Sequence, residues 1–134
     1  MKKVIVLLSF VCAVLLGNEF ETAAKAYEAG DYQKAFKYSK IACDNGEYLG
    51  CGFLGALYDN GKGVRQNYKE AFKYYKLACD NEEHRSCYNL GVLYANGQGV
   101  RQNYSIAKEH FGKACDLGYQ KGCDAFSKLD KNGY

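Results

Sequence analysis

Residues 43–78 and 79–114 are identical at 19 of 36 aligned positions, and the identities are clustered rather than scattered. The run Leu54-Gly55-Ala56-Leu57-Tyr58-Asp59-Asn60-Gly61 is matched by Leu90-Gly91-Val92-Leu93-Tyr94-Ala95-Asn96-Gly97, and Gly63-Val64-Arg65-Gln66-Asn67-Tyr68 recurs unchanged from Gly99 to Tyr104. A fixed period of this size constrains the fold more than any other feature. A unit this short cannot bury its own apolar face, so neighbouring units must stack into a solenoid. A chain of 134 residues leaves room for about three such units and little for a second domain.

Within a unit the apolar period is helical. Tyr68, Ala71, Phe72, Tyr75, Ala78 and Cys79 recur at steps of three and four, which makes one helical face over 68–80. Asn67 is positioned to cap that helix, and Glu70 three residues on completes a capping box. Asn103 caps the equivalent helix without the glutamate. A preceding helix over about 48–59 places Cys51, Leu54, Gly55 and Tyr58 on one face. Glycine in mid-helix costs about 1 kcal/mol against alanine, so Gly55 and Gly91 mark a close approach of a partner helix. Gly61 and Gly63 end the helix and turn the chain. The first unit has the tighter turn Ala29-Gly30-Asp31-Tyr32, with Asp31 as cap. Residues 119–130 form a last helix, whose Lys121, Lys128 and Lys131 suit a solvated end cap.

The cysteines follow the same step. Cys43/Cys51, Cys79/Cys87 and Cys115/Cys123 are three C-x7-C pairs. Two readings compete. Zinc sites favour two to four residues between paired thiols with further ligands close by, and His84 and His110 do not supply them. Disulfides within each pair fit better, given what precedes them in the chain. Lys2 and Lys3 lead into an apolar run from Val4 to Leu16, the pattern of a secretory signal, too short to span a bilayer comfortably. Residues 1–17 thus read as a signal peptide cleaved after Gly17, and 18–134 as the helical repeat domain. Cys12 raises a lipoprotein anchor, but Phe10 and Val11 stand where a small residue is needed. An even count of regularly spaced cysteines in a small exported chain reads as a disulfide framework. Each bridge would join the end of one unit to the start of the next. Closing a loop of about nine residues contributes roughly 2.5 kcal/mol.

The pattern Cys-x-x-Leu-Gly-x-Leu-Tyr-x-x-Gly-x-Gly-Val, with Ala and Ala-Cys in the following helix, resembles the Sel-one-like repeat, a relative of the tetratricopeptide repeat. Combined with C-x7-C at this step, it resembles the Helicobacter cysteine-rich protein family over about residues 19–130. The resemblance implies an all-α, right-handed solenoid of antiparallel helix pairs, three units plus a C-terminal capping helix, in a secreted or periplasmic protein. It also implies penicillin binding with weak β-lactamase activity. The residues give that chemistry little support. Ser105-Ile106-Ala107-Lys108 fits S-x-x-K and Tyr94-Ala95-Asn96 fits Y-x-N. Yet Ser105 and Lys108 replace Lys69 and Phe72 of the previous unit, and Tyr94 and Asn96 repeat Tyr58 and Asn60. No Lys-Thr-Gly or Lys-Ser-Gly occurs, and two isolated histidines cannot assemble a catalytic zinc site. Ser105 and Lys108 therefore stand as weak catalytic candidates.

Binding has more physical support than catalysis. In stacked helix pairs the first helices line a concave face open to a ligand. The tetratricopeptide pattern places Glu21, Lys25, Glu28, Asp59, Asn60, Arg85, Tyr88, Asn96, Asp124 and Lys128 there. That mixture suits a protein, an extended peptide, a peptidoglycan fragment or a β-lactam. Asn60 and Asn96 also fit a structural role at a helix end, and Arg65 and Arg101 fit one in the inter-helix loop. The net charge of +3 falls close to zero once Lys2 and Lys3 are removed, so bulk charge points to no nucleic acid. No cofactor, metal or membrane span after signal removal is expected.

Overall fold

The computed structural model describes residues 19–134, and every regular element among them is an α-helix. The proposed signal segment 1–17, with Cys12, lies outside the described residues. Helix α1 covers residues 19–28. It is followed by α2 (Tyr32–Asp44), α3 (Tyr48–Asn60), α4 (Tyr68–Asp80), α5 (His84–Asn96), α6 (Tyr104–Asp116) and α7 (Gln120–Lys131). From α4 onward each helix begins one repeat length after its counterpart in the preceding unit. The helices α3/α4 and α5/α6 pair antiparallel, with α7 laid against α6, and α1 meets α2 through Ala26 and Ala35.

Small residues set how closely the pairs pack. Ala35, Ala71 and Ala107 hold one repeat position, Ala42, Ala78 and Ala114 another, and all six are fully buried. Gly55 and Gly91 have the packing reason their mid-helix position demands. A Cβ at Gly55 would lie 2.8 Å from the Tyr75 ring, and one at Gly91 would lie 2.7 Å from the Phe111 ring. Leu54, Leu57, Leu90 and Leu93 fill the space between helices. Tyr58, Tyr68, Tyr94 and Tyr104 sit half-buried at the edge of this core.

The junctions between units are fastened at two points. At one end the bridges Cys43–Cys51, Cys79–Cys87 and Cys115–Cys123 join α2 to α3, α4 to α5 and α6 to α7. At the other end, Gly63 and Gly99 (φ 70° in both) press the loop after a first helix onto the Tyr32 and Tyr68 carbonyls that open the previous unit's second helix.

One local expectation fails for a clear reason. The Asn67 side chain accepts from the Lys69 and Glu70 N–H groups, both at 3.1 Å. The Asn67 N–H, however, donates to the Tyr58 carbonyl at 3.0 Å, so Glu70 has no free donor to accept from and the capping box does not close. Asn103 behaves alike, its N–H on Tyr94 and its side chain accepting from Ile106. The final helix is Gln120–Lys131, one residue later than expected. It keeps the first-helix register, with Leu129 in the place of Leu57 and Leu93. But Ser127 and Asp130 replace the Gly and Tyr against which a further second helix would pack, giving α7 a polar outer side.

The turn closing each second helix uses a left-handed residue: Gly46 (φ 84°), Glu82 (φ 67°) and Gly118 (φ 94°). Glu82 alone carries a side chain there, and left-handed backbone costs a non-glycine residue about 1 kcal/mol. Glu82→Gly should therefore raise the urea midpoint by the equivalent of about 0.5–1 kcal/mol. An unchanged or lowered midpoint would mean that the Glu82 side chain compensates its own backbone.

Candidate functional site

The first helices α1, α3, α5 and α7 share one face, and two grooves open on it. The first has a volume of about 420 Å³ and lies among α1, α3 and α5. Phe20 from α1 and Leu49, Phe53 and Ala56 from α3 form its apolar wall, and Leu49 is 52% exposed. Arg85 and Asn89 from α5 face that wall. Glu83, the N-cap of α5, accepts from the Arg85 and Ser86 N–H groups and lines the groove beside Arg85. Among the described residues the Arg85 guanidinium has no ion-pair partner.

The second groove, of about 680 Å³, lies between α5 and α7 over α6. Tyr88, Phe111, Tyr104 and Tyr134 supply rings, while Lys121, Asp124 and Lys128 of α7 supply charge. The rings are braced by each other: Tyr88 meets Phe111 at 5.3 Å and Tyr119 at 5.4 Å, and Tyr104 meets Tyr134 at 4.5 Å between centroids. Gln120 donates to Asp124 at 3.0 Å and so partly occupies its carboxylate.

The sequence candidates divide accordingly. Arg85 lines the first groove, and Tyr88, Asn96, Asp124 and Lys128 are brought together in the second. Asp59 and Asn60 line neither. Asp59 accepts from the Tyr75 hydroxyl at 3.1 Å, and burial pushes its carboxyl above the usual range even though that hydrogen bond pulls the other way. Asn60 donates to the Ala56 carbonyl at 2.8 Å, the helix-end role its repetition pointed to. Glu21 and Lys25 pair with each other at 2.7 Å on the outside of α1, which lowers the Glu21 carboxyl and raises the Lys25 amine. Glu28 is exposed and lines neither groove.

Ser105 and Lys108 are not arranged as a nucleophile and its base. The Lys108 amine pairs with the Asp130 carboxylate, donates to the Tyr134 carbonyl and lies 5.2 Å from the Phe126 ring centroid. It fastens α7 to α6 and leaves exposed Ser105 without an activating amine. Among the described residues no three His, Cys, Asp or Glu side chains gather as a metal site.

One titrating group, His110, sits off the grooves. His110 holds the position of Tyr74 and repeats its contact, stacking on Tyr94 at 5.5 Å as Tyr74 stacks on Tyr58 at 5.8 Å. Burial first, and Lys113 second, hold the imidazole below its ordinary value near 6.5. The unfolded chain then binds more protons than the fold below about pH 6.5, so stability falls as the pH drops through that value. His110→Tyr should restore the repeat's ring pair and flatten the dependence of the urea midpoint between pH 7 and 5. An unaltered slope would place the titration elsewhere.

The Sel1 repeat family model matches residues 15–47, 49–82 and 84–119. The chain belongs to the Sel1 repeat family. Its three matched Sel1 segments coincide with α1/α2, α3/α4 and α5/α6. Helicobacter pylori cysteine rich protein B (hcpB) is similar over 81% of this chain and 92% of its own, at 32% identity and TM-score 0.66. The uropathogenic Escherichia coli protective antigen c5321, which displays an SLR fold, matches 88% of this chain and 26% of its own at 25% identity and TM-score 0.82. Among curated Helicobacter pylori relatives, HcpE is 51% identical over 43 residues and HcpD 37% identical over 59. Both bear β-lactamase names given provisionally. The matches cover 32% and 44% of this Sel1 chain but only 12% and 19% of those relatives. Among the described residues no helix is long and apolar enough to cross a membrane.

Proposed function

We propose that this Sel1 protein is an exported interaction module that holds an extended peptide segment of a partner in the groove among α1, α3 and α5. The observation that carries this reading is the pairing, on one open face, of exposed Leu49 and its apolar neighbours with an Arg85 that makes no ion pair with any described residue, beside the Glu83 that caps α5. An apolar wall with a few convergent polar groups is what a recognition groove needs. Three disulfides support an oxidising compartment, the periplasm or the exterior. A peptidoglycan fragment is the competing ligand for the same face.

The test is fluorescence anisotropy with labelled leucine-rich peptides and labelled muropeptides against oxidised residues 18–134. Peptide binding should weaken about tenfold in Leu49→Asp and in Arg85→Glu. Binding of muropeptide alone would replace the peptide reading, and binding of neither would remove the groove from consideration. The β-lactamase names of HcpE and HcpD motivate a parallel nitrocefin assay. With Lys108 committed to Asp130, turnover should not exceed the blank. Turnover abolished by Ser105→Ala and by Lys108→Ala would make the protein an enzyme.

A further inference from the structure

Resting on that groove reading, we infer that the first-helix face is polarised along the solenoid axis and takes an amphipathic peptide segment with its apolar part over α1 and α3 and its acidic part over α7. The repeat register displays the gradient. One first-helix position carries Leu49, Arg85 and Lys121 in successive units, and another carries Ala56, Val92 and Lys128. All six side chains line the two grooves, and α5 contributes to both. At these two positions the face therefore passes from wholly apolar on α3, through one cation on α5, to two cations on α7.

Two acids temper those cations without cancelling them: Glu83 caps α5 beside Arg85, and Asp124, between Lys121 and Lys128 on α7, still leaves that helix a net positive charge in the groove. Lys121 and Lys128 lie seven residues apart, two turns of α7, so they line up along the groove rather than around the helix. Among the described residues neither has an ion-pair partner. A neutral apolar segment would leave them unanswered, and a uniformly acidic one would set charge against Leu49 and Phe53. Only a ligand graded in the same sense satisfies both ends, which gives the site specificity for sequence order as well as composition.

The experiment uses the oxidised protein and labelled peptides with a leucine-rich half joined to a glutamate-rich, a serine-rich or a lysine-rich half. Affinity should fall in the order glutamate, serine, lysine. The preference should shrink in Lys121→Glu/Lys128→Glu, about tenfold for the glutamate peptide. Raising the salt on the unmodified protein should shrink it similarly, which keeps the result independent of whether the variant folds. A photo-crosslinker at the acidic tip should map by mass spectrometry to α7, and one at the apolar tip to α1 or α3. Equal affinity for the three peptides with binding intact would overturn the polarity while leaving the groove reading standing. Crosslinks from the acidic tip to α3 would do the same, and no binding of any peptide would overturn both.

Discussion

Replacing Cys79 and Cys87 together by alanine should lower the unfolding free energy by at least about 2.5 kcal/mol, near 10 °C in Tm for a chain of this size. The closed loop is short, spanning a sequence separation of 8, so the entropic share is at the modest end of the range. Burial adds to it. Both sulfurs belong to the central core with Tyr75, Leu90 and Ala114, and both residues are fully buried, so their loss also leaves a void. Position makes the effect global: the bridge joins α4 to α5, and without it α1–α4 and α5–α7 hold together by side-chain packing and the Gly99 loop alone. Urea unfolding of the variant should be broader as well as earlier. The Cys115/Cys123 double alanine variant should instead loosen α7 first, because that pair is only half-buried and has one helix beyond it. Identical curves for the two variants would show that the junctions are equivalent and that burial at the centre adds nothing.

Gly63→Ala should cost about 2–4 kcal/mol, combining left-handed backbone with overpacking. The added methyl would stand 2.0 Å from the Tyr32 carbonyl oxygen. That oxygen is backbone at the start of α2, so no rotamer change relieves the contact and one unit must shift against the next. Gly30→Ala is the internal control. Its φ of 79° is as unfavourable as that of Gly63, yet nothing lies within 4 Å of the added methyl. It should cost only about 1 kcal/mol. The difference between the two variants, read from urea midpoints at equal m-value, isolates the packing of the loop on the previous unit. Equal costs would mean that backbone conformation is the whole effect.

Most of the solenoid was legible because its signals are repeated. Helix faces, the glycine approaches at Gly55 and Gly91 and the location of the bridges each appear at least twice in register. What escaped was decided by partners distant in sequence. The capping box at Asn67 fails because the Tyr58 carbonyl takes the N–H, and nothing local announces a competitor from the previous helix. The Lys108–Asp130 contact, which ties up the lysine of S-x-x-K, spans 22 residues and depends on how α7 lies on α6. Glu82 was readable from the Gly46, Glu82, Gly118 column, but identity-based alignment draws attention to matches and away from the one mismatch that carries strain. Of the ten residues the tetratricopeptide pattern placed on the binding face, Arg85, Tyr88, Asn96, Asp124 and Lys128 line the grooves, whereas Glu21, Lys25, Glu28, Asp59 and Asn60 do not. Leu49 and Phe53 went unnoticed because an apolar residue on a helix reads by default as core.

The bridges also determine how such a protein can lengthen. Each repeat carries one cysteine at the start of its period and one eight residues on, and each bridge spans a junction instead of closing within a helix pair. Any segment of one full period duplicated in register therefore brings both half-cystines with it. The total stays even, every sulfur keeps a neighbour at the same short separation, and no existing pairing is disturbed. A duplication event thus delivers its own latch, and a longer array oxidises by the same local step as a shorter one.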